Sequence, residues 1–462
     1  MGFRNLDPSR RLGRLGIAFG LSFFVTSMNG CDGISWNEAK LASKVKERGE
    51  IRVLTLKHPL VDEPRQAGPR KGLERELLTH FADTYGLKIR FLQRNTLEAL
   101  MTSLRQGEGD VAAGRLWTQE NRRTAFLQGP VFEESHLSLF CRRKLKVRHI
   151  SDLSHLRVAL LTKDNVDSID TRLKWLVPEI KLRLENQDRL RPLFQNLHEG
   201  TLDCAFAENI DGSLHARLSS KVEKIDQPMT SQRGLSWLIN NDRADLASLM
   251  HAWFQRASRD DEIMRIQDHH QANLSELDRN DAQRFLINVR SRFPGFKTAF
   301  LKSAKEHHLD WKLVASIAYQ ESQWNPEARS FTGVLGIMQL TNETARTVGI
   351  ADRTDPEQSI WGGSYYLRFL LNRMPRHLDP QERLALALAA YNSGLGHLRG
   401  AQTLATRKGL NPYSWRHLKM VYPLLENPDV AATLPLGTAR GRETVQFVER
   451  VRGFHSLWRL VD

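Results

Sequence analysis

One acidic side chain stands out because it follows an otherwise apolar helical pattern. Residues 313–319 place apolar side chains at helical spacing, and Glu321 follows before Trp324 and Pro326 interrupt the helix. A carboxyl group at the end of an apolar helix loses hydration, which disfavours its charged form and raises its pKa. Such a group can act as a general acid at neutral pH. Taken alone, the pattern also fits a solvated glutamate at a helix terminus.

Three segments follow Glu321 in order. The sequence GVLGIMQLT occupies residues 333–341, a Gly-Gly pair lies at 362–363, and AAYNSG occupies residues 389–394. Together with the helix that carries Glu321, this set resembles the lysozyme-like soluble lytic transglycosylase domain. The resemblance covers about residues 285–460 and implies an all-α, lysozyme-like fold for this half of the chain.

The resemblance also implies roles for individual side chains. Glu321 would be the catalytic acid, and Tyr391 would hold the rotamer of Glu321 through a hydrogen bond. Four more residues are expected near the sugar: Ser322, Met338, Gln339 and Asn392. Of these, Met338 would supply an apolar wall, whereas Gln339 and Asn392 also fit a role in backbone support.

The implied substrate is peptidoglycan, at the β-1,4 bond between N-acetylmuramic acid and N-acetylglucosamine. Most glycosidases use two carboxyl groups, but Glu327 and Glu343 lie in polar surroundings and make poor partners for Glu321. A single acid fits an intramolecular reaction in which the muramyl C6 hydroxyl closes on C1. Such a reaction leaves a 1,6-anhydromuramyl end and consumes no water, and the attacking hydroxyl is already positioned.

The first half of the chain has a different pattern. Strand-like and helical segments alternate from residue 50 to residue 114, which predicts a parallel β-α-β-α-β unit. The sequence LMTSLRQGEGDVAAG, from Leu100, has a counterpart in LFQNLHEGTLDCAFA, from Leu193. The similarity predicts two α/β lobes, either independent of each other or facing each other across a ligand cleft.

Residues 45–265 resemble the type-3 periplasmic solute-binding proteins for amino acids. The resemblance implies that Arg122 binds a ligand carboxylate and that Glu208 binds its amine. A guanidinium group does match a carboxylate in bidentate geometry. The alternative for both residues is a surface ion pair. The ligand implied by the resemblance is an amino acid or a wall peptide, and this half would regulate the other.

The N-terminus has the pattern of an export signal. Four arginines precede an apolar stretch at residues 15–28, and Gly30-Cys31 resembles a bacterial lipoprotein cleavage site. We therefore expect residues 1–30 to be a signal peptide and Cys31 to be a possible lipidation site. An uncleaved signal anchor or an ordinary cleavable signal remains possible. The expected location is the periplasmic face of the outer membrane, with peripheral or lipid-anchored attachment.

Composition narrows the partners. The chain has 462 residues and a net charge of +14, but the positive charge is spread along the sequence. Nucleic-acid binders concentrate such charge, so the expected partners are peptidoglycan, the wall-peptide ligand and a membrane surface. No CxxC or HExxH spacing occurs, and we expect neither a metal nor a cofactor. Cys141 and Cys204 could form a disulfide or remain buried thiols.

The predicted fold is thus a two-lobed α/β periplasmic-binding-protein-like domain at 45–265, followed by a mainly helical lysozyme-like domain at 285–462. The leading functional hypothesis is a peptidoglycan lytic transglycosylase, a carbon–oxygen lyase, that acts in cell-wall remodelling. Two alternatives remain: a lysozyme-type hydrolase that uses water, and a wall-binding protein that does not cut.

Overall fold

A computed structural model describes residues 35–56, 61, 72–118, 125–161, 173–185, 190–228, 232–270, 277–330 and 333–461. The predicted signal peptide, Cys31 and Arg122 lie outside the described residues. The strands are β1 (Ile51–Leu56), β2 (Ile89–Arg94), β3 (Val111–Trp117), β4 (Leu127–Ser135), β5 (Leu137–Arg142), β6 (Arg157–Leu161), β7 (Lys181–Glu185), β8 (Cys204–Glu208), β9 (Val222–Pro228) and β10 (Arg233–Ile239).

Helices occur in both halves and dominate the second, from α8 onward. The helices of the chain are α1 (Trp36–Glu47), α2 (Leu73–Tyr85), α3 (Leu97–Arg105), α4 (Leu190–Glu199), α5 (Asn209–Arg217), α6 (Ala244–Arg259), α7 (Glu262–His270), α8 (Arg279–Ser291), α9 (Lys297–Glu306), α10 (Trp311–Ser322), α11 (Asn342–Val348), α12 (Pro356–Arg373), α13 (Pro380–Ser393), α14 (Leu395–Arg407), α15 (Trp415–Val421), α16 (Pro428–Ala431) and α17 (Gly441–Val461).

Two five-stranded sheets form the first half. The first has strand order β2-β1-β3-β10-β4 and the second has β7-β6-β8-β5-β9. In each sheet the first three strands are parallel and the remaining pairs are antiparallel. The chain passes from the first sheet to the second between β4 and β5, which only His136 separates. The prediction of a two-lobed α/β half is therefore confirmed.

The internal similarity of the two lobes extends to individual contacts. β3 and β8, which carry the similar sequence segments, occupy the same third position in their sheets. Asp110 accepts a hydrogen bond from the Arg52 backbone nitrogen at 2.8 Å, and Asp203 accepts one from the Arg157 backbone nitrogen at 3.0 Å. In both lobes an aspartate at the start of one strand thus ties down the start of its parallel neighbour.

The second half is helical and surrounds α10. Seven consecutive residues of this helix, 313–319, are buried, and the adjoining core draws on α8, α12, α13 and α17. The long helix α17 lies against α10, where Arg450 donates to Gln320 at 2.9 Å and to Asp281 of α8 at 2.6 and 2.9 Å. The prediction of a helical second half is confirmed, and α10 is its central element.

The two halves touch through both apolar and charged side chains. Leu214 of α5 packs against the helical core. Arg265 of α7 pairs with Asp379 at 3.1 Å, and Asp261 pairs with Arg416 at 3.5 Å. The second lobe and the segment that follows it are therefore in direct contact with the helical half.

A disulfide links Cys141 of β5 to Cys204 of β8, which are paired residues of adjacent strands. Of the two states left open for these cysteines, the structure has the disulfide. Among the helices that the structure describes, none has the length and hydropathy needed to span a bilayer.

Candidate active site and the cleft between the lobes

Helix α10 delivers Glu321 to the surface of the helical half. Asp310 is the N-cap of the helix, and its carboxylate accepts from the Lys312 backbone nitrogen at 2.9 Å. Gln323 is the C-cap and adopts the left-handed conformation with φ 53°. Glu321 therefore lies in the last turn, two residues beyond Tyr319, the last buried residue of the helix.

Trp324 holds the chain just after α10. Its side chain is fully buried, and its indole nitrogen donates to the Ala315 carbonyl at 2.8 Å. Its ring lies 4.7 Å from that of Tyr319 and 5.1 Å from that of Phe293. The tryptophan thus anchors the turn to the core, and that anchoring positions the carboxyl-bearing end of the helix.

The carboxyl group of Glu321 is poised to remain protonated. Burial raises its pKa from 4.5 to about 8, and the negative charge of Glu443 adds to the shift. Among the described residues no hydrogen-bond donor or cation contacts this carboxyl group. Nothing described therefore offsets the loss of hydration, and the neutral acid is the favoured form at pH 7.

Glu443 is a functional candidate that sequence reasoning missed. It lies in the first turn of α17 and pairs with Arg440 at 3.3 Å, and both side chains are largely exposed. Its separation from Glu321 by more than 120 positions in the sequence gave no signal of their proximity. Only the packing of α17 against α10 brings the two carboxyl groups into electrostatic range.

Ser322 and Met338 make contacts that fix the segments next to Glu321. The Ser322 hydroxyl donates to the Ile337 carbonyl at 2.8 Å and to the Ala318 carbonyl at 3.1 Å. The Met338 side chain is fully buried and packs so closely on Gly363 that a Cβ there would lie 2.5 Å from its Cε. The expectation that this side chain forms a wall of the cleft therefore needs correction, because it faces the core.

Gln339 stabilises the segment that Ser322 contacts through the Ile337 carbonyl. Its side-chain nitrogen donates to the carbonyls of Ala328 and Gly336 at 2.9 and 2.8 Å, and its own backbone is left-handed, with φ 47°. Gly336 has φ 83°, and a Cβ there would lie 2.0 Å from the Arg353 carbonyl oxygen. Of the two roles considered for Gln339, these contacts correspond to backbone support.

Tyr391 and Asn392 end α13 beside the acid. The Tyr391 hydroxyl donates to the Met338 carbonyl at 3.4 Å, and its ring stacks on Phe447 at 6.2 Å. Burial, and then the nearby Glu321, raise the pKa of Tyr391. The expected hydrogen bond from Tyr391 to Glu321 is not among the contacts of the described residues, although the two groups interact electrostatically. Asn392 accepts from Thr444 at 2.9 Å and so ties α13 to α17.

A second cluster of charges lies between the two lobes of the first half. Arg115 of β3 pairs with Glu133 of β4 at 2.9 Å, and these residues belong to the first lobe. The same guanidinium group reaches Glu208 at 3.3 Å and Asp211 at 3.5 Å in the second lobe. All four side chains are buried. Arg115 therefore bridges the cleft and neutralises carboxylates on both of its sides.

Arg115 is strained in its backbone and loses hydration in its side chain. Arg115 has φ 52°, a backbone region that non-glycine residues seldom adopt. Its backbone nitrogen donates to Glu74 at 2.7 Å, and burial raises the pKa of Glu74 to about 7. For Arg115, desolvation alone would lower the pKa, but the carboxylates around it outweigh that effect and hold the pKa high.

Glu208 lies beside Arg115 between the lobes, and its carboxylate already has partners. It caps α5 by accepting from the backbone nitrogens of Ile210 and Asp211 at 3.1 and 2.9 Å. It also accepts from the Ser135 hydroxyl and pairs with Arg115. It is therefore not the surface ion pair considered above, and a ligand amine would have to share it with Arg115. Arg122 lies outside the described residues.

In the described ranges, no group of three or more histidine, cysteine, aspartate or glutamate side chains has an arrangement that could hold a metal ion. Neither site therefore offers a metal centre built from the residues whose positions are known.

Comparison with known proteins identifies two families along the chain. The family described as "Transglycosylase SLT domain" matches residues 298–413, and "Bacterial extracellular solute-binding proteins, family 3" matches residues 53–273.

Similar proteins along most of the chain share the name "Membrane-bound lytic murein transglycosylase F". The protein of Photobacterium profundum is 30% identical over 443 residues, which cover 95% of this chain and 85% of the relative. That of Maricaulis maris is 33% identical over 414 residues, which cover 89% and 91%. That of Vibrio cholerae is 32% identical over 427 residues, which cover 89% and 80%.

Solved structures of amino acid-binding proteins match about half of the chain. An ancestral arginine-binding protein bound to arginine is 16% identical, with a TM-score of 0.43, and the match covers 48% of this chain and 97% of that one. An amino acid transporter substrate-binding protein from Streptococcus pneumoniae is 14% identical, with a TM-score of 0.44, and the match covers 50% and 97%.

The electrostatic link between the two carboxyl groups is testable by substitution. Glu443→Gln removes a negative charge, so the pKa of Glu321 should fall below about 8 yet stay above 4.5, because burial is the larger cause of the shift. Titration of the side-chain carboxyl carbons by nuclear magnetic resonance measures this pKa, and Glu321→Gln identifies the signal. Glu357→Gln, a change at an exposed glutamate of α12, is the control and should leave it unchanged. An unaltered pKa in Glu443→Gln would mean that burial alone sets its value.

Proposed function

Because the chain belongs to the membrane-bound lytic murein transglycosylase F family, we propose that Glu321 is the general acid and base of its reaction. The protein is a peptidoglycan lytic transglycosylase that cleaves the bond between N-acetylmuramic acid and N-acetylglucosamine. The observation that carries the residue assignment is a partly buried carboxyl group with a pKa of about 8 at the end of α10. We assign the reaction to residues 285–462.

The proposed reaction uses one carboxyl group twice. The neutral Glu321 carboxyl gives its proton to the glycosidic oxygen as the bond from that oxygen to the muramyl C1 breaks. The resulting carboxylate accepts the proton of the C6 hydroxyl as the C6 oxygen bonds to C1. The products are a free 4-hydroxyl on N-acetylglucosamine and a 1,6-anhydromuramyl end, and Glu321 is again protonated. No water is consumed, and the sugar itself supplies the nucleophile.

The residues around the acid have supporting roles in this proposal. Tyr391 and Asn392 hold the end of α13 near Glu321, and Ser322 fixes the last turn of α10 to the segment that carries Gln339. Met338 contributes its backbone carbonyl, as the acceptor for the Tyr391 hydroxyl. We propose that these residues shape the sugar-binding cleft by placing backbone and ring surfaces, and that proton transfer falls to Glu321 alone.

Replacing the acid tests the reaction directly. Glu321→Gln keeps the size of the side chain but has no proton to give, so we expect almost complete loss of 1,6-anhydromuramyl products from purified peptidoglycan. Mass spectrometry of the digest distinguishes anhydro ends from the reducing ends that a water-using hydrolase would leave. Glu327→Gln, at an exposed position six residues away, is the matched control and should retain activity. Substantial cleavage by Glu321→Gln at neutral pH would rule out Glu321 as the sole acid.

The same variant has a second readout that a misfolded protein would not give. In the wild type the carboxyl group ionises near 4.5 when unfolded and near 8 when folded, so its burial destabilises the native state increasingly as the pH rises between these values. Glutamine does not ionise. Glu321→Gln should therefore match the wild type in stability near pH 4 and exceed it near pH 8, by on the order of a few kcal/mol, in urea unfolding experiments.

For the first half, we propose that residues 45–265 bind an amino acid or wall peptide through Arg122 and Glu208 and thereby regulate cleavage. Arg115 has a place in this proposal, because a ligand amine at Glu208 would replace part of the bridge between the lobes. A change in the lobes has a route to the catalytic half, since Leu214 of α5 packs on the helical core and Glu208 caps that helix. Typical coupling energies between sites are about 1–3 kcal/mol.

Calorimetric titration with a wall peptide tests the ligand assignment. We expect binding by the wild type and strong loss of binding in Arg122→Ala, because the ligand carboxylate loses its bidentate partner. Arg123→Ala removes the adjacent arginine and is the matched control. Equal affinities in all three proteins would contradict the role of Arg122. Cleavage rates measured with and without peptide then test regulation, because binding without any change in rate would leave a ligand site that does not regulate.

We also propose that residues 1–30 are a signal peptide and that the protein lies at the periplasmic face of the outer membrane, held by acylated Cys31 or peripherally. The disulfide between Cys141 and Cys204 supports export, because such bonds persist in oxidising compartments. Cysteines alkylated in intact cells before lysis should therefore not include these two. If acylation is the sole anchor, the Cys31→Ala variant should appear in the soluble fraction after cell fractionation, whereas the wild type stays with the membranes. Reactive Cys141 and Cys204 would contradict export.

A further inference from the structure

The outward face of α1 combines an exposed tryptophan with lysines. Trp36, at the first position of the helix, is 76% exposed. The Lys40 ammonium lies 5.4 Å from the centre of its ring, and Ser43 and Lys44 are also exposed. These positions are four, seven and eight residues after Trp36, so all of them lie on one side of the helix. The face is apolar at its N-terminal end and cationic along its length.

Contacts on the other side hold this face in a fixed orientation. Ser35 caps the helix and exchanges hydrogen bonds with Glu38, at 2.8 and 3.2 Å. The buried carboxylate of Glu38 also accepts from the Tyr85 hydroxyl at 2.8 Å and pairs with Arg256 of α6 at 3.5 Å. Val45 is fully buried. The first turn of α1 is therefore clamped to the first lobe, and Trp36 is held outward by that clamp.

An indole ring and ammonium groups suit the boundary of a lipid bilayer. Tryptophan has an apolar body and a polar nitrogen, and it is enriched where membrane meets water. Lysines beside it would be attracted to anionic headgroups. Apart from α1 itself, no packing within the described residues uses the ring, whose one ring contact there is with Lys40.

The position of α1 in the sequence adds a distance constraint. Trp36 is five residues after Cys31, the possible acylation site. Five residues span at most about 17 Å when fully extended. If Cys31 carries a lipid, Trp36 is therefore never far from the membrane surface, and neither are the lysines of the same helix.

We propose that the face of α1 formed by Trp36, Lys40, Ser43 and Lys44 docks on the anionic surface of the membrane. The proposal rests on the membrane attachment proposed above and names the contact that would accompany it. Because α1 is clamped to the first lobe, docking would set the orientation of the whole first half relative to the bilayer. The occupant is a lipid surface with phosphate headgroups.

A second exposed tryptophan provides a comparison within the same chain. Trp175, in the second lobe, is 80% exposed and is followed by the partly exposed Leu176. It lies far from the N-terminus in sequence and so lacks the distance constraint that Cys31 imposes. If exposure of an aromatic side chain were enough for docking, both positions would contact lipid; the proposal predicts contact for α1 alone.

Depth-sensitive labelling distinguishes these outcomes. The full chain carrying Cys31→Ala and Ser43→Cys is labelled with a polarity-sensitive fluorophore, since Cys141 and Cys204 are paired in a disulfide. A second sample carries Cys31→Ala and Trp175→Cys. Both are added to phosphatidylethanolamine vesicles with and without phosphatidylglycerol. We expect the emission of the label at 43 to shift to the blue and to lose quenching by acrylamide on the anionic vesicles, whereas the label at 175 stays quenchable.

The same label tests whether the named side chains cause the contact. Adding Trp36→Ala, Lys40→Ala and Lys44→Ala should restore quenching at position 43, even where residues 15–28 still tether the chain to the vesicle. A label at 43 that stays fully quenchable on anionic vesicles would overturn the proposal. So would protection of the label by isolated peptidoglycan sacculi but not by vesicles, or protection at position 175 in place of 43.

Turnover on soluble peptidoglycan fragments separates this proposal from the proposed activity. The triple variant should cleave such fragments at the wild-type rate, because α1 contributes nothing to the acid or its surroundings. Absence of cleavage by the wild type would contradict the proposed enzymatic activity but would not affect the labelling result. Normal cleavage with no change in quenching would contradict the docking face alone.

Discussion

Desolvation of one carboxyl group is the constraint on which the catalytic half depends. Glu321 can remain protonated at neutral pH only because α10 is buried along residues 313–319 and because no described donor compensates the carboxyl group. The surrounding contacts preserve that condition: Trp324 anchors the turn that follows the helix, and Arg450 joins α17 to α10 one residue before the acid. Burial of the group lowers the stability of the folded protein when the group ionises.

The cleft between the lobes shows the opposite treatment of buried carboxyl groups. There a guanidinium group, that of Arg115, lies among Glu133, Glu208 and Asp211 and keeps their charges paired. One half of the molecule thus leaves a carboxyl group without a cation, which favours its neutral form. The other half surrounds one cation with carboxylates, which hold the pKa of Arg115 high. The first arrangement leaves a carboxyl group that can carry a proton, and the second stabilises a buried cation between the lobes.

Much of the fold was accessible from periodicity. The parallel strands β1, β2, β3, β6 and β8 and the helices between them follow apolar patterns, and the internal similarity of the two lobes reflects equal positions in two sheets. Strands β4, β7, β9 and β10 were not predicted, because they are stabilised by sheet partners that are distant in sequence. Helix α1 was also missed. Its amphipathic pattern is weak, since one polar residue, Glu38, faces inward to Tyr85 and Arg256.

The sequence by itself identified Glu321 as a candidate acid, since it ends an apolar helical pattern, but whether its carboxyl group is buried depended on the packing. It also determined the presence of two α/β lobes and a helical half. The neighbours of these residues were decided by the tertiary structure alone. Glu443 lies near Glu321, and Tyr391 donates to the Met338 carbonyl. Arg115 pairs with Glu208, the carboxylate that was expected to bind a ligand amine. The physical reason is that the spacing of apolar residues shows which face of one segment packs on the core. Electrostatic partners come from segments that are distant in sequence, and their proximity depends on how all the elements between them pack.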